Sequence, residues 1–261
     1  MSTEIITPPS QVAAPPEPRR MAHGTRHRAQ SRVFRIGRWV VIIGFLLTAF
    51  AYLTLNRHRV VTRSALADAI WPVEPPALVD TALSSLISKL RKAVGSDTVV
   101  GRSDVRLVLP DAWVDVEAAS EAIHRAEGAV GRGAWAEAWG PGRVALHIVR
   151  REFLPGESAA WVEDERSALE DVELRALECI AKSSLELGPS ELESAVRSSR
   201  DLVRLAPHRE SGYRILMRAL AAEGNDAEAL GVYEGLRVRL REDLGVAPSA
   251  PTQELYRTLL R

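Results

Sequence analysis

Residues Trp39–Leu55 form a run of 17 residues without a charge, WVVIIGFLLTAFAYLTL. A chain carrying such a run must bury it, either in a bilayer or in a protein core. Seventeen residues is the lower limit for a membrane span. Arg32, Arg35 and Arg38 precede the run, and Arg57, Arg59 and Arg63 follow it. Basic flanks on both sides give no orientation preference. No small-residue cleavage site follows, so a secretory signal is not expected. The core alternative is a short strand over Val40–Ile43, a break at Gly44, and a helix ending near Asn56. Hydropathy alone does not separate core from span.

The segments on either side fix the context. Residues 1–31 are rich in Pro, Ala, Thr, Gln and Arg without an apolar period, and predict a disordered tail. His23 and His27 are four apart, a metal-capable spacing, but nothing there predicts the helix it would need. After the run, Thr62 is placed to cap a helix carrying Leu66, Ile70 and Trp71 on one side. Pro72, Pro75 and Pro76 end it, because proline lacks the amide that helix propagation requires.

A second helix is predicted over Leu78–Val94. Leu83, Leu86, Ile87, Leu90 and Val94 recur at helical spacing as one apolar stripe, and Gly95 stops the helix. Thr98–Gly101 and Val105–Leu109 then read as two strands around Arg102-Ser103-Asp104. Helix, helix, helix, hairpin is the order of a winged helix-turn-helix, expected here over residues 32–110.

The remainder, 111–261, is expected to be all-helical. Helices are predicted over Asp115–Val130, after Gly133, over Ala159–Leu187, Glu191–Leu205, Arg209–Glu223, Asp226–Asp243 and Thr252–Leu260. Trp135, Trp139, Leu146 and Val149 share one face of the second of these, and Gly140-Pro141-Gly142 should kink it. Ser190/Glu193 and Asn225/Glu228 have capping-box spacing. Helix pairs repeating at about 34–37 residues resemble tetratricopeptide units. In one such pair, Tyr213, Leu216 and Leu220 would face Leu230, Tyr233 and Leu236.

The formal net charge is zero, but it is unevenly placed. Residues 1–110 carry 15 basic and 7 acidic side chains, whereas 111–261 carry 19 and 27. The basic half suits a polyanion, and the acidic half would be repelled by one. The outer face of the Leu78–Val94 helix supplies Thr81, Ser84, Ser85, Ser88, Lys89 and Lys92, short or basic side chains of the kind that meet phosphates and base edges in a major groove. Arg102 sits where a wing tip would meet phosphate or minor groove. Arg91 lies at the edge of the apolar stripe, where its stem can cover apolar surface. The ordinary alternative for the polar face is a solvated one.

No catalytic function is expected. The chain has no phosphate-binding G-x-x-x-x-G-K-[ST] loop, no G-x-G-x-x-G and no G-x-S-x-G elbow. The single cysteine, Cys179, excludes an intrachain disulfide and a multi-thiolate zinc site, which fits a reducing cytoplasm. It lies between Leu177 and Ile180 and reads as a small core residue. The Glu163-Asp164-Glu165 run reads as a solvated helix face. No cofactor and no metal are expected.

Residues 51–72 (AYLTLNRHRVVTRSALADAIWP) and 81–95 (TALSSLISKLRKAVG) resemble the DNA-binding domain of SARP-type (antibiotic regulatory protein) transcription activators. Residues 113–123 (WVDVEAASEAI), 153–157 (FLPGE) and 227–260 (AEALGVYEGLRVRLREDLGVAPSAPTQELYRTLL) look like the bacterial transcriptional activator domain that follows it in that family. The resemblance covers about residues 46–261. It implies a mainly α chain: an OmpR-type winged helix followed by a tetratricopeptide-like domain. It implies a DNA-binding activator of target promoters that binds direct repeats, two copies side by side, and contacts RNA polymerase through its sigma subunit. The recognition helix would be Leu78–Val94 and the wing Thr98–Leu109.

Two departures accompany it. The family opens with a sheet of about 40 residues, for which only Arg32–Gly44 is available, and its wing often carries Gly-Tyr where this chain has Asp104-Val105. The chain closes on the helical domain, so no ATP-dependent control is expected. The resemblance places Phe45–Asn56 on the family's first core helix, which favours a cytoplasmic protein. A membrane-tethered regulator, single-span through 39–55, and an interaction scaffold without DNA binding are the alternatives.

Overall fold

The computed structural model describes residues 41–261. The expected tail over 1–31, the His23/His27 pair and most of the expected opening sheet lie outside the described residues. Residues 41–55 are helical (α1), so the strand and the break at Gly44 do not form. Gly44 carries no turn there: a Cβ on it would meet nothing within 4 Å, and the helix runs through it. Thr48, Ala49 and Leu53 of α1 are buried, while Leu47 stays exposed. Over residues 41–55 the run is thus half a core helix. Among the described residues no helix is long and apolar enough to cross a membrane, and the single-span reading is not supported.

A short strand β1 (Val61–Thr62) leads into α2 (Arg63–Ile70). The Thr62 hydroxyl accepts from the Ala65 amide at 3.2 Å, the expected cap. Helix α3 (Val79–Val94) follows the proline segment and ends at Gly95. Its stripe of Leu83, Leu86, Ile87 and Leu90 is buried. Strands β2 (Val99–Val100) and β3 (Asp104–Leu107) form an antiparallel hairpin with Val99 opposite Leu107. β1 pairs on the other side of β3, Val61 opposite Val105, giving the order β1-β3-β2. Val61, Val99, Val105 and Leu107 turn inward and are buried with the helices' apolar faces.

The helical domain comprises α4 (Asp115–Gly131), α5 (Trp135–Val149), α6 (Ala160–Leu187), α7 (Leu192–Leu205), α8 (Glu210–Ala222), α9 (Asp226–Leu244) and α10 (Ala250–Leu259). Each helix packs on the next, and short connections make neighbours antiparallel. Helices α4, α6, α8 and α10 also pack on one another in order, so they form one layer and α5, α7 and α9 the other. This is the tetratricopeptide-like stack that the repeat spacing predicts.

Local details differ from the sequence expectations. Helix α5 runs through Pro141, and its buried positions are Ala138, Gly142, Ala145 and Val149. The two tryptophans sit at its margin, half-buried. Small residues are needed at the seam: a Cβ on Gly142 would come within 3.1 Å of Ile180 Cγ1. The Ala-rich cluster Ala122, Ile123, Ala126, Ala145 and Ala176 shows the same close approach of α4, α5 and α6. Neither capping box forms. A 3-10 turn over Pro189–Glu191 takes the place of the first, and Asn225 occupies the N-cap position without a side-chain cap bond. In the α8–α9 pair Ala229, not Leu230, is buried beside Tyr233, opposite Leu216 and Leu220.

Candidate nucleic-acid interface

The polar face predicted for α3 is where helical geometry puts it. With Leu83, Leu86, Ile87 and Leu90 inward, Thr81, Ser84, Ser85, Ser88 and Lys92 are exposed and Lys89 is half-buried. Thr81, Ser85, Ser88 and Lys92 follow i, i+4, i+7, i+11 and form one outer stripe. Asp80 lies in the first turn and Arg91 and Lys92 in the last, each complementing the helix dipole at its end.

The wing is tied to this helix by two arginines. Arg91 Nε donates to the Val99 carbonyl at 2.8 Å, and its Nη2 to the Gly101 carbonyl at 2.6 Å. Arg91 is therefore a strut between α3 and the hairpin rather than a stem lying over apolar surface. Gly101 adopts φ +98°, and a Cβ there would collide with the Asp104 carbonyl, so the tip requires glycine. Arg102, at that tip, is exposed.

Arg63 is the functional candidate that sequence reasoning missed. Its Nη2 donates to Ser84 Oγ at 2.8 Å and to the Asp80 carbonyl at 3.2 Å, and its Nη1 donates to the Arg102 carbonyl at 3.4 Å. One guanidinium thus brings Ser84 and the wing tip together. A signal was present: a cation in the first turn of α2 opposes the helix dipole, so its place there needs another reason.

The DNA-reading candidate is fixed to the helical domain. Arg57 Nη1 donates to the carbonyls of Leu109 and Ala112 at 3.3 and 3.1 Å, and its Nη2 pairs with Glu117 at 2.5 Å. Trp161 packs edge-on to Tyr52 at 5.2 Å between centroids and donates from Nε1 to the Ala69 carbonyl at 3.0 Å. Thr48 Oγ1 donates to Glu157 Oε1 at 3.0 Å, within the FLPGE segment. Arg166 holds that segment through the carbonyls of Phe153 and Leu154.

Cys179 is buried, and burial pushes its thiol up to about 11. At neutral pH it carries almost no thiolate and is a poor nucleophile. Glu163, paired with Arg166 at 2.5 Å, and Asp164 are exposed as a solvated face would be, whereas Glu165 is half-buried and burial raises its carboxyl above the ordinary range.

These features define a class: a winged helix-turn-helix unit seated on a tetratricopeptide-like helical domain. Residues 114–260 match the bacterial transcriptional activator domain, and the chain belongs to that family. Regulatory protein AfsR of Streptomyces griseus is 32% identical over 217 residues, covering 83% of this chain and 22% of AfsR. Transcriptional regulatory protein EmbR of Mycobacterium tuberculosis is 28% identical over 223 residues, covering 81% of this chain and 56% of EmbR. Regulatory protein DnrI of Streptomyces peucetius is 28% identical over 225 residues, covering 81% of this chain and 82% of DnrI. These relatives bear out the resemblance to SARP-type regulators. The chain spans about a fifth of AfsR and just over half of EmbR. The solved structure of EmbR in complex with a low affinity phosphopeptide superposes with a TM-score of 0.74 at 24% identity, over 84% of this chain and 59% of that one, a likeness of fold.

Proposed function

We propose that this chain is a sequence-specific, DNA-binding transcription activator of the cytoplasm, which reads promoter repeats through α3 and its wing. The observation that carries the reading is the outer stripe of α3. Thr81, Ser85, Ser88 and Lys92 are exposed in register while the opposite stripe is buried, and the wing stands beside them. Short hydroxyl side chains let a helix backbone approach base edges closely, and lysines meet the flanking phosphates. In this reading Ser84, held by Arg63, sets the start of the helix, Lys89 and Lys92 meet phosphate, and Arg102 meets the backbone or the neighbouring minor groove.

The helical domain is assigned the protein contact, to RNA polymerase through its sigma subunit. Residues 111–261 carry 27 acidic against 19 basic side chains, which disfavours DNA and suits a basic partner surface. Binding to direct repeats would set two copies side by side. The names AfsR, EmbR and DnrI, all regulatory proteins, support the reading. The test is footprinting of the purified full chain on promoters neighbouring its gene. Protection of paired repeats is expected; folded protein that protects nothing at moderate salt would falsify it.

A further inference from the structure

Between the outer helices α5 and α7, which make little direct contact, lies a half-open cavity of about 270 Å³ over α6. Its floor includes Leu177 and Ile180, and its rim includes Arg143, Arg150 and Arg197 with one carboxylate, Asp201. The charges are not balanced. Asp201 is already engaged by Arg150 at 2.6 Å and by Arg204 at 2.8 Å, and Arg150 also reaches Glu173 at 3.2 Å. That pairing closes one end of the gap and neutralises Arg150.

Arg143 and Arg197 remain. Among the described residues no carboxylate lies within 4.0 Å of Arg143, whose guanidinium instead rests over the Trp139 ring at 4.8 Å. The stacking orients a planar fork of donors without consuming its charge. Arg197 has a single weak partner, Glu193 at 3.8 Å, with both side chains largely in solvent. Two guanidiniums on facing helices thus flank an apolar floor.

From this geometry we infer an effector site: the cavity takes a small organic anion, with an apolar body on Leu177 and Ile180 and an oxyanion head shared by Arg143 and Arg197. The volume is slightly below the usual range for small-molecule sites, so the ligand is small. Carboxylate and phosphate heads both match a guanidinium fork. Because the head bridges α5 and α7, binding ties the first helical hairpin to the second and stabilises the stack. The inference stands whether or not the chain binds DNA.

The test is thermal unfolding of the full chain with hexanoate, phenyl phosphate, inorganic phosphate or neutral hexanamide at one ionic strength. A probe at about tenfold excess over its dissociation constant should raise the midpoint by roughly 3–6 °C. Hexanoate or phenyl phosphate should do so, and hexanamide should not. Whichever of the two acts identifies the head group. Arg197→Gln and Arg143→Ala should abolish the shift, and Arg197→Gln, which alters only an exposed side chain, should melt with the parent when no probe is added. The site is refuted by no shift with either organic anion at 10 mM, by inorganic phosphate acting as strongly as phenyl phosphate, or by an undiminished shift in Arg197→Gln.

Discussion

The indole Nε1 of Trp161, near the start of α6, donates to the main-chain carbonyl of Ala69 at 3.0 Å. That carbonyl belongs to the last turn of α2, where helical carbonyls have no partner within the helix. The helical domain therefore completes the end of the helix that carries Arg63. Replacing Trp161 by Phe should cost about 1 kcal/mol, the worth of one neutral hydrogen bond. Replacing it by Ala also removes the ring packed on Tyr52 and Phe153, and should cost about 3–5 kcal/mol. Urea titration followed by circular dichroism reads both; no loss in the Phe variant would contradict the bond, and equal losses in the two variants would contradict the ring packing.

Glu210 anchors α10 to α8. It accepts from the Ser249 amide at 3.0 Å, from Ser249 Oγ at 2.6 Å and from Thr252 Oγ1 at 2.5 Å. Burial alone would raise its carboxyl, but these donors and Arg214 outweigh it and hold the group below the ordinary carboxylate range. A lowered folded pKa means that the unfolded chain takes up its proton first as pH falls. Stability from Glu210 is then complete above the unfolded value, near 4.3, and is lost as pH drops through the folded value. Glu210→Gln should cost about 1–2 kcal/mol at pH 7, and the gap to the parent should narrow below about pH 4.5. Urea midpoints measured between pH 7 and pH 3 check this; parallel curves would rule it out.

The wing depends on Arg91 and Gly101 together. Arg91→Met removes two bonds to hairpin carbonyls while keeping an apolar stem, and should cost about 1–3 kcal/mol. Gly101→Ala forces a side chain onto the Asp104 carbonyl at positive φ and should cost at least about 1 kcal/mol. Both should weaken DNA binding in protein that remains folded, measured by gel shift. Undiminished affinity in both would mean that the wing does not touch DNA.

The periodic parts of this fold were legible in the sequence, and the parts set by partners distant in the chain were not. The α3 stripe from Leu83 to Leu90, the Thr62 cap and the helix ending at Leu187 follow from spacing and local hydrogen bonding. Hydropathy could not decide residues 41–55, because a core helix and a short span demand the same composition. The fold adds that Thr48, Ala49 and Leu53 find buried places, and that no described helix is long and apolar enough to cross a membrane. The shared face of Trp135, Trp139, Leu146 and Val149 did not reveal which residues meet α6, because the closeness of the two helices admits only Ala138, Gly142 and Ala145 at the seam and leaves both tryptophans half-buried at the rim. In the candidate interface the α3 side chains could be read from their period. The contacts of Arg63 and Arg91 could not, since only the fold brings Asp80 and Ser84 of α3 to Arg63 and the hairpin carbonyls to both; the dipole marked Arg63 as unusual without naming its partners.

Lys89 and Lys92 differ in setting, and the difference can be measured. Lys92 is exposed in the last turn of α3, while Lys89 is half-buried one turn earlier. A lysine that neutralises a phosphate releases a counterion, so log K falls with log salt by about 0.9 per contact. Lys92→Ala should reduce the magnitude of that slope by roughly one unit and weaken binding alike on matched and mismatched sites. Lys89→Ala should do the same if its ammonium also reaches phosphate. If it meets a base edge instead, the loss will fall on the matched site, by about 1–3 kcal/mol. Gel shifts from 50 to 200 mM salt on a matched and a scrambled duplex separate the outcomes. Slope and matched-site affinity both unchanged in the two variants would remove the lysines from the interface and leave Arg102 and Arg63 as the cations to test.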